Sequence, residues 1–157
     1  MCEWERITSD EEVLQSVKGL YIPIDSVINK RKEACYPMNS KTDIFLNEEI
    51  QKLMHKEVIE KCQHELGEFI SPTFVVEKQD GGYRFILNLK ELNREIEKKK
   101  FKMQTLKSIL CLIRPGCFMA KLDIKDAYYS VPIHHESRKL YRFVYKEELY
   151  QFYTKII

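Results

Sequence analysis

Two carboxylates, Asp123 and Asp126, lie three residues apart in the stretch Ala120–Ser130 (AKLDIKDAYYS), among residues that are mostly apolar or aromatic. A carboxylate at the end of a strand can hold a divalent cation, because Mg²⁺ prefers hard oxygen ligands and accepts phosphate oxygens at its other positions. Strand-end aspartates also serve as turn caps. The residue types alone therefore leave two alternatives for Asp123, a metal ligand or a turn cap.

Two cationic residues, Lys78 and Arg84, lie in a predicted β-hairpin. Thr73–Lys78 (TFVVEK) and Tyr83–Leu89 (YRFILNL) are rich in strand-forming residues, and Asp80-Gly81 between them is typical of a tight turn. A two-residue turn would direct Lys78 and Arg84 to opposite faces of the hairpin, unless a bulge re-aims one of them.

Three segments that could position these residues are predicted to be helical, because they combine apolar residues at helical spacing with capping or breaking residues. They are Glu11–Lys18, capped by Ser9 or Asp10, Asn47–Cys62, capped by Asn47, and Gln104–Ile113, ended by Pro115-Gly116. The second helix is the clearest of the three, and the chain can leave it as early as Val58–Ile59.

Cys117–Ile124 is predicted to be a strand, because apolar residues alternate with other residues along it. The alternation places Asp123 on the less apolar face, near the end of the strand. Leu140–Tyr145 and Leu149–Thr154 form a last predicted hairpin, joined by Lys146-Glu147-Glu148. The order helix, hairpin, helix, strand, hairpin differs from the regular βαβ alternation of a Rossmann sheet and indicates an α+β fold.

The composition is that of a globular protein without a membrane span. The 157 residues are 44% hydrophobic and 32% charged, and no apolar run approaches the roughly 20 residues that a span needs. Five cysteines at irregular spacings and the polar, acidic start Met1–Asp10 predict reduced thiols and an intracellular location, cytoplasmic or nuclear. The net charge of +2 is too small to indicate a polyanionic partner by itself.

Several longer stretches resemble reverse transcriptases and occur in the order of that family. LDIKDAYYSVPI resembles the first catalytic motif, Leu-Asp-hydrophobic-x-Asp-Ala-Tyr/Phe, which leaves the central palm strand. SPTFVVEKQDGGYRFILNLKELNREI resembles the fingers hairpin, and LYRFVYKEELYQF resembles the strand pair that follows the motif. The resemblance covers about Leu46–Phe152 and is closest in character to retrotransposons of the LTR and DIRS types.

The resemblance implies roles for the residues of the first motif. Asp123 matches the first metal-binding aspartate, which holds both Mg²⁺ ions in two-metal nucleotidyl transfer. Asp126 and Ala127 match positions whose backbone amides lie beside the incoming triphosphate; as an alternative, the Asp126 side chain caps the turn. Tyr128 matches the aromatic steric gate that excludes a 2′-hydroxyl, and a packed core tyrosine is the alternative.

The resemblance also implies the fold, the domain organisation and the partners. The α+β fold would comprise the fingers and a partial palm of a right-hand polymerase, with an incomplete palm sheet, at residues 42–157. Residues 1–41 would be an N-terminal extension or linker. The partners would be an RNA template, a DNA primer and a dNTP, with Lys78 and Arg84 as the fingers cations that neutralise the triphosphate.

One part of the family's catalytic apparatus does not occur in this sequence. Family members carry two further aspartates in a Tyr-x-Asp-Asp turn downstream of the first motif, whereas this chain stops at Ile157 and has YTKII where a Leu-Pro-Phe-Gly type segment is expected. We therefore expect a truncated reverse transcriptase domain that is inactive alone. The alternatives are a non-catalytic module that binds nucleic acid or nucleotide, and a remnant that self-associates or pairs with an intact polymerase through an open sheet edge.

Three other polar clusters are weaker candidates. Cys62-x-His64 has metal-like spacing but lacks a second ligand pair, which favours a structural thiol and a surface histidine. His134-His135 is predicted to lie in a solvated loop. Lys98–Lys100 either contacts template phosphates or forms a solvated connector.

Overall fold

The computed structural model describes residues 3–24, 30–31, 40–96, 104–121, 123, 129 and 131–154. The helices in these ranges, after a 3-10 turn at Glu3–Arg6, are α1 Glu11–Lys18, α2 Ser40–His55, α3 Leu92–Glu95, α4 Leu106–Leu110 and α5 His135–Arg138. The strands are β1 Lys30–Arg31, β2 Ile59–Lys61, β3 Phe69–Ile70, β4 Thr73–Glu77, β5 Tyr83–Leu87, β6 Arg142–Tyr145 and β7 Glu148–Phe152.

The strands form one mixed sheet and one separate hairpin. The five-stranded sheet has the order β1-β3-β6-β7-β2, in which β3 pairs parallel with β1 and β6, and β7 pairs antiparallel with β6 and β2. Strands β4 and β5 pair only with each other in the described part of the chain. This mixture of helices and sheets confirms the predicted α+β class.

A single hydrophobic cluster joins α2, the sheet and the hairpin. Ile50 and Leu53, on one face of α2, are buried with Phe143 of β6 and Phe152 of β7. The Phe143 ring lies 5.4 Å from the Phe85 ring of β5 and 5.6 Å from the Phe152 ring. Burial of each such side chain contributes about 1.5–3 kcal/mol, so this cluster fixes the hairpin against the sheet.

The first two predicted helices are present in the structure, but only the first has the predicted bounds. The prediction for α1 is confirmed, and Asp10 Oδ1 caps the helix by accepting from the backbone N–H groups of Glu12 at 2.9 Å and Val13 at 3.2 Å. The predicted start of α2 at Asn47 is wrong, since the helix begins at Ser40 and Asn47 lies exposed within it. Phe45 and its neighbours pack against the core and stabilise helical turns upstream of Asn47.

The C-terminus of α2 is a Schellman motif whose left-handed position is occupied by glutamate. Glu57 has φ 55° and donates its backbone N–H to Met54 O, while Val58 N–H donates to Leu53 O at 2.9 Å. The helix therefore ends at His55 rather than at Cys62, and the chain leaves it before Val58.

A Glu57→Gly variant is expected to raise the free energy of unfolding by about 1 kcal/mol, because glycine adopts the left-handed conformation without the steric cost of a Cβ atom. Urea unfolding of the two proteins measures the difference. The matched control is Glu48→Gly, at an exposed position inside α2, which is expected to lower the same free energy by about 1 kcal/mol. Destabilisation by both substitutions would contradict the assignment of the cap.

The predicted strand at Cys117–Ile124 is wrong for its described residues, 117–121 and 123, which have no regular secondary structure. Phe118 and Met119, which would lie on opposite faces of such a strand, are 103% and 80% exposed, so neither face is buried at these residues. A strand needs a hydrogen-bonded neighbour, and no strand of the described part pairs with these residues. The helix before them, α4, is also shorter than predicted, and its Leu106 and Leu110 are exposed.

The last predicted hairpin is confirmed as β6 and β7, with a shorter turn than expected. Tyr145 pairs with Glu148, which leaves Lys146 and Glu147 as a two-residue turn with φ of 48° and 65°. Positive φ at both central residues is characteristic of a type I′ turn, which matches the twist of the flanking strands.

The predicted division at residue 41 stays a prediction, although the described residues before it contact the rest of the fold. Strand β1 pairs with β3, and Ile22 is part of the hydrophobic core. No helix among the described residues combines the length and the apolar character that crossing a membrane requires.

Candidate functional site

The β4–β5 hairpin places its two cations on one face. Val76 pairs with Arg84, and the Lys78 N–H donates to Gly82 O at 2.7 Å, so the pairing continues beyond the strand. Residues two apart along a strand share a face, and therefore Lys78 lies on the same face as Val76 and Arg84. The loop has three residues rather than two, which corresponds to the second predicted alternative, a bulge that re-aims one cation onto the face of the other.

The turn residues explain this register. The Gly81 N–H donates to Lys78 O at 3.1 Å, and Gly81 has φ +78°, as in a three-residue hairpin loop that ends in a left-handed residue. Asp80 Oδ1 accepts from the Gly82 N–H at 3.0 Å and fixes the loop. A Cβ atom on Gly82 would lie 3.8 Å from Lys78 Cδ, so the lysine stem extends over this glycine.

The two faces of the hairpin have different environments. On the inner face, Phe85 packs on Phe143 and the Tyr83 ring lies 5.5 Å from the Phe45 ring. On the outer face, Lys78 and Arg84 are exposed, and neither side chain makes an ion pair or hydrogen bond within the described part of the chain. Two exposed cations without partners among the described residues therefore share one face of the hairpin, and such groups can bind phosphate.

The predicted motif around Asp123 is only partly within the described residues. Asp123 is exposed, without a hydrogen bond or ion pair to another described residue. Asp126, Ala127 and Tyr128 lie outside the described residues. Tyr129 is half-buried and packs against the hydrophobic core.

Of the residues that the resemblance assigns to a two-metal site, only Asp123 lies within the described part of the chain. No group of three or more His, Cys, Asp or Glu side chains close enough to share a metal ion occurs among the described residues.

The Cys62 and His64 side chains contact the protein itself, in agreement with the predicted structural thiol and surface histidine. The Cys62 thiol donates to Leu149 O, and burial raises its pKa to about 11, while His64 Nδ1 is bonded to Glu68 Oε1 at 2.7 Å.

A buried arginine that sequence reasoning missed organises one side of the sheet. Arg142, on β6, is 3% exposed and donates to Glu68 Oε2 at 2.7 Å, to a Glu65 carboxylate oxygen and to Gln63 O. It also donates to Gln151 Oε1 on β7 at 2.8 Å. These hydrogen bonds connect the loop between β2 and β3 with the β6–β7 pair.

The charge of Glu68 is stabilised by this network. Its burial disfavours ionisation, but hydrogen bonds from Arg142 and His64 outweigh that effect and hold the Glu68 pKa below its ordinary value of 4.5. The only signal in the sequence was a charged residue inside the otherwise apolar and aromatic run Leu140–Tyr145.

Comparison with known proteins identifies one family. The sequence model of reverse transcriptase (RNA-dependent DNA polymerase) matches residues 76–156. The Pro-Pol polyprotein of Simian foamy virus type 3 (strain LK3) is 26% identical over 123 residues, which are 78% of this chain and 10% of that protein. The Pol polyprotein of Caprine arthritis encephalitis virus (strain Cork) is 27% identical over 139 residues, 81% of this chain and 12% of that protein.

Solved structures show the same fold. The native protease-reverse transcriptase of Prototype Foamy Virus superposes with a TM-score of 0.64 at 24% identity, covering 90% of this chain and 18% of that one. A foamy viral protease-reverse transcriptase in complex with dsDNA gives a TM-score of 0.64 at 18% identity, covering 88% of this chain and 29% of that chain. The predicted fold, part of a right-hand polymerase, is confirmed; the LTR or DIRS assignment stays a prediction.

Proposed function

We propose, from the premise that this chain belongs to the reverse transcriptase (RNA-dependent DNA polymerase) family, that it is the fingers and first palm segment of an RNA-directed DNA polymerase. Its β4–β5 hairpin then binds the triphosphate of an incoming dNTP. The chain spans about a tenth of the curated relatives it matches, 10% and 12% of their lengths, so the rest of the apparatus lies in other parts of such proteins.

The observation that carries this proposal is the common outward face of Lys78 and Arg84. A triphosphate presents several negative oxygens along one edge, so two cations on one rigid face can bind it together. Arg84 supplies a planar fork for two oxygens, and Lys78 supplies a mobile point charge. Both side chains lack protein partners within the described residues, so binding breaks no ion pair with any of those residues.

The residues of the first motif complete the proposed site. Asp126 and Ala127 contribute backbone amides beside the triphosphate, and Tyr128 excludes a 2′-hydroxyl. Asp123 contributes one carboxylate of the family's Mg²⁺ site, whose remaining ligands are not among the described residues. The partners in this proposal are an RNA template and a DNA primer.

The direct test is the binding of deoxythymidine triphosphate (dTTP) to the 157-residue chain, with thymidine as the matched ligand without phosphates. Isothermal titration or NMR shift mapping is expected to detect dTTP on Lys78 and Arg84, and thymidine to bind more weakly. Equal affinity for dTTP and thymidine, or NMR shift changes confined to other surfaces, would contradict the proposal.

The chain alone is expected to incorporate no dNTP on a primed RNA template, because the Tyr-x-Asp-Asp carboxylates are absent from its sequence. Phosphoryl transfer depends on the positioning of cations around the reacting groups, and one motif supplies only part of that arrangement. An intact retroviral reverse transcriptase on the same template is the positive control. Incorporation that disappears in Asp123→Ala would overturn this expectation.

A second candidate function is non-catalytic binding of nucleic acid. The outer face of the hairpin combines its two cations with Val76, which is 42% exposed, and a solved relative is described in complex with dsDNA. Such binding to an RNA–DNA hybrid would weaken steeply with salt, whereas dTTP binding would change less, since fewer counterions are released. Hybrid binding without dTTP binding would favour this alternative.

A further inference from the structure

Residues 106–121, which we call the basic apolar surface, expose most of their large apolar side chains to solvent. None of these residues is buried, and none belongs to the hydrophobic core of the described chain or packs against it. Five of the apolar side chains are more than half exposed, namely Leu106, Leu110, Leu112, Phe118 and Met119. Exposed apolar side chains grouped in this way are typical of a surface that binds another protein.

The charges of the basic apolar surface all have one sign. Lys107, Arg114 and Lys121 lie within it, and positions 104–122 contain no acidic residue. All three side chains are exposed and form no ion pair within the described part of the chain. Cations beside exposed apolar side chains favour a partner that combines an apolar face with carboxylates.

Helix α1 has this complementary character. Its spacing places Val13, Leu14 and Val17 on one face, yet the helix has no buried residue and Val13 is 38% exposed. Glu11 and Glu12, in the first turn, are exposed and form no ion pair with another described residue. The apolar face of α1 is therefore uncovered and lies next to two unpaired carboxylates.

The fold leaves both surfaces uncovered, although the chain is fixed to the core directly after α1. The Leu20 N–H donates to Pro132 O at 2.8 Å, and the His134 N–H donates to Leu20 O at 3.0 Å. His134 is half-buried at this contact, so the prediction of a solvated loop is wrong for this residue. Because the apolar side chains of α1 and of the basic apolar surface both remain exposed, the two surfaces do not cover each other within one copy.

We propose that α1 of one copy of this chain docks on the basic apolar surface of a second copy. The apolar face of α1 then covers the exposed apolar side chains, and Glu11 and Glu12 lie beside Lys107 and Arg114. One sequence carries both halves of the contact, so two copies satisfy both surfaces. Reciprocal docking gives a closed dimer, whereas docking in one direction gives longer chains.

The contact is independent of the proposed function, because it uses neither the β4–β5 hairpin nor an edge of the sheet. It assigns a role to α1, which the sequence alone left within an extension or linker. An eight-residue helix offers a small contact area, so we expect a dissociation constant in the micromolar range. Sedimentation velocity of the full chain is expected to show an average size that increases with protein concentration.

Charge reversal tests the pairing of the two surfaces. Lys107→Glu with Arg114→Glu is expected to raise the dissociation constant for self-association at least about tenfold, because like charges then face each other. Glu11→Lys with Glu12→Lys is expected to have the same effect. A chain with all four substitutions keeps the wild-type net charge of +2 and is expected to recover the association. Neither net charge nor damage to α1 would produce that recovery.

Removal of one apolar side chain tests the other half of the contact. Leu112→Ser is expected to raise the dissociation constant about tenfold, equivalent to about 1.4 kcal/mol, because Leu112 is 79% exposed in the single copy and covered in the proposed contact. The matched control is Leu66→Ser, at a leucine that is 78% exposed outside both surfaces, and it is expected to leave association unchanged. Circular dichroism checks that both variants fold.

Three results would overturn the proposal. The first is a wild-type chain that stays monomeric at every concentration, which would leave the basic apolar surface without a second copy as its partner. The second is association that neither charge reversal nor Leu112→Ser weakens, which would assign it to another surface, such as a sheet edge. The third is a four-substitution chain that stays dissociated, which would remove α1 as the occupant.

Discussion

An Arg142→Met variant is expected to lose about 3–5 kcal/mol of the free energy of unfolding, because the buried Glu68 carboxylate loses the guanidinium that neutralises its charge. Glu68 is itself 7% exposed, so water cannot replace the guanidinium. A domain of this kind has a total stability of about 5–15 kcal/mol, and the loss is therefore a large part of it. Urea unfolding followed by circular dichroism measures the change.

Two further variants separate the buried charge from general effects of removing an arginine. Arg138→Met removes a more exposed arginine, which lies 3.5 Å from a Glu60 oxygen and stacks 3.8 Å over the Tyr153 ring, and is expected to cost only about 1 kcal/mol. Adding Glu68→Gln to Arg142→Met is expected to recover part of the loss, because it removes the buried charge that the arginine no longer neutralises. Equal costs for the two arginines, or no recovery, would contradict the assigned role of the pair.

The pH dependence of stability reports on the same network. The Glu68 pKa is lower in the folded chain than its ordinary value of 4.5, so its contribution is complete above that pH and is lost as the pH falls through the folded value. Glu68→Gln is expected to remove this part of the acid sensitivity. The slope of unfolding free energy against pH below about 4.5 distinguishes the two proteins.

The features that sequence reasoning predicted correctly are local ones. The Asp10 cap and α1 depend on residues within one helical turn, and the hairpin at Thr73–Lys78 depends on strand propensity and a glycine-containing turn. The sequence alone leaves the exact register open, because Asp80-Gly81 fits either a two-residue or a three-residue loop. The choice is settled by Phe85 packing against the core, which selects the face that each residue must occupy.

The features that were missed depend on partners distant in the sequence. Alternation at Cys117–Ile124 predicted a strand, but a strand forms only where another strand accepts its hydrogen bonds. Arg142 finds its carboxylates 74 and 77 residues away, and Leu20 finds its partner segment more than 100 residues away, since Leu20 bridges Ile133. No short window of the sequence contains both members of such a pair.

Arg84→Ala is expected to raise the dissociation constant for dTTP about 10- to 100-fold, because a hydrogen bond to a charged group contributes about 1.5–3 kcal/mol and tenfold in affinity corresponds to about 1.4 kcal/mol. Lys78→Ala is expected to have a smaller effect, since a single mobile charge is less ordered than the guanidinium fork. Arg84→Lys keeps the charge and loses the fork, so its affinity should fall between those of the wild type and Arg84→Ala. Isothermal titration at fixed ionic strength provides the comparison.

The matched control is Lys52→Ala, which removes the same charge from an exposed position on α2, where Lys52 already pairs with Glu49 at 3.1 Å. If the hairpin binds the triphosphate by direct contact, Lys52→Ala leaves the affinity within about twofold, because Lys52 is not part of the hairpin and its charge is already paired with Glu49. If the chain attracts dTTP only through its net charge, all three alanine variants weaken binding equally. That second pattern would remove the hairpin from the nucleotide site, whereas the first makes the shared face of Lys78 and Arg84 the part of this fold that recognises phosphate.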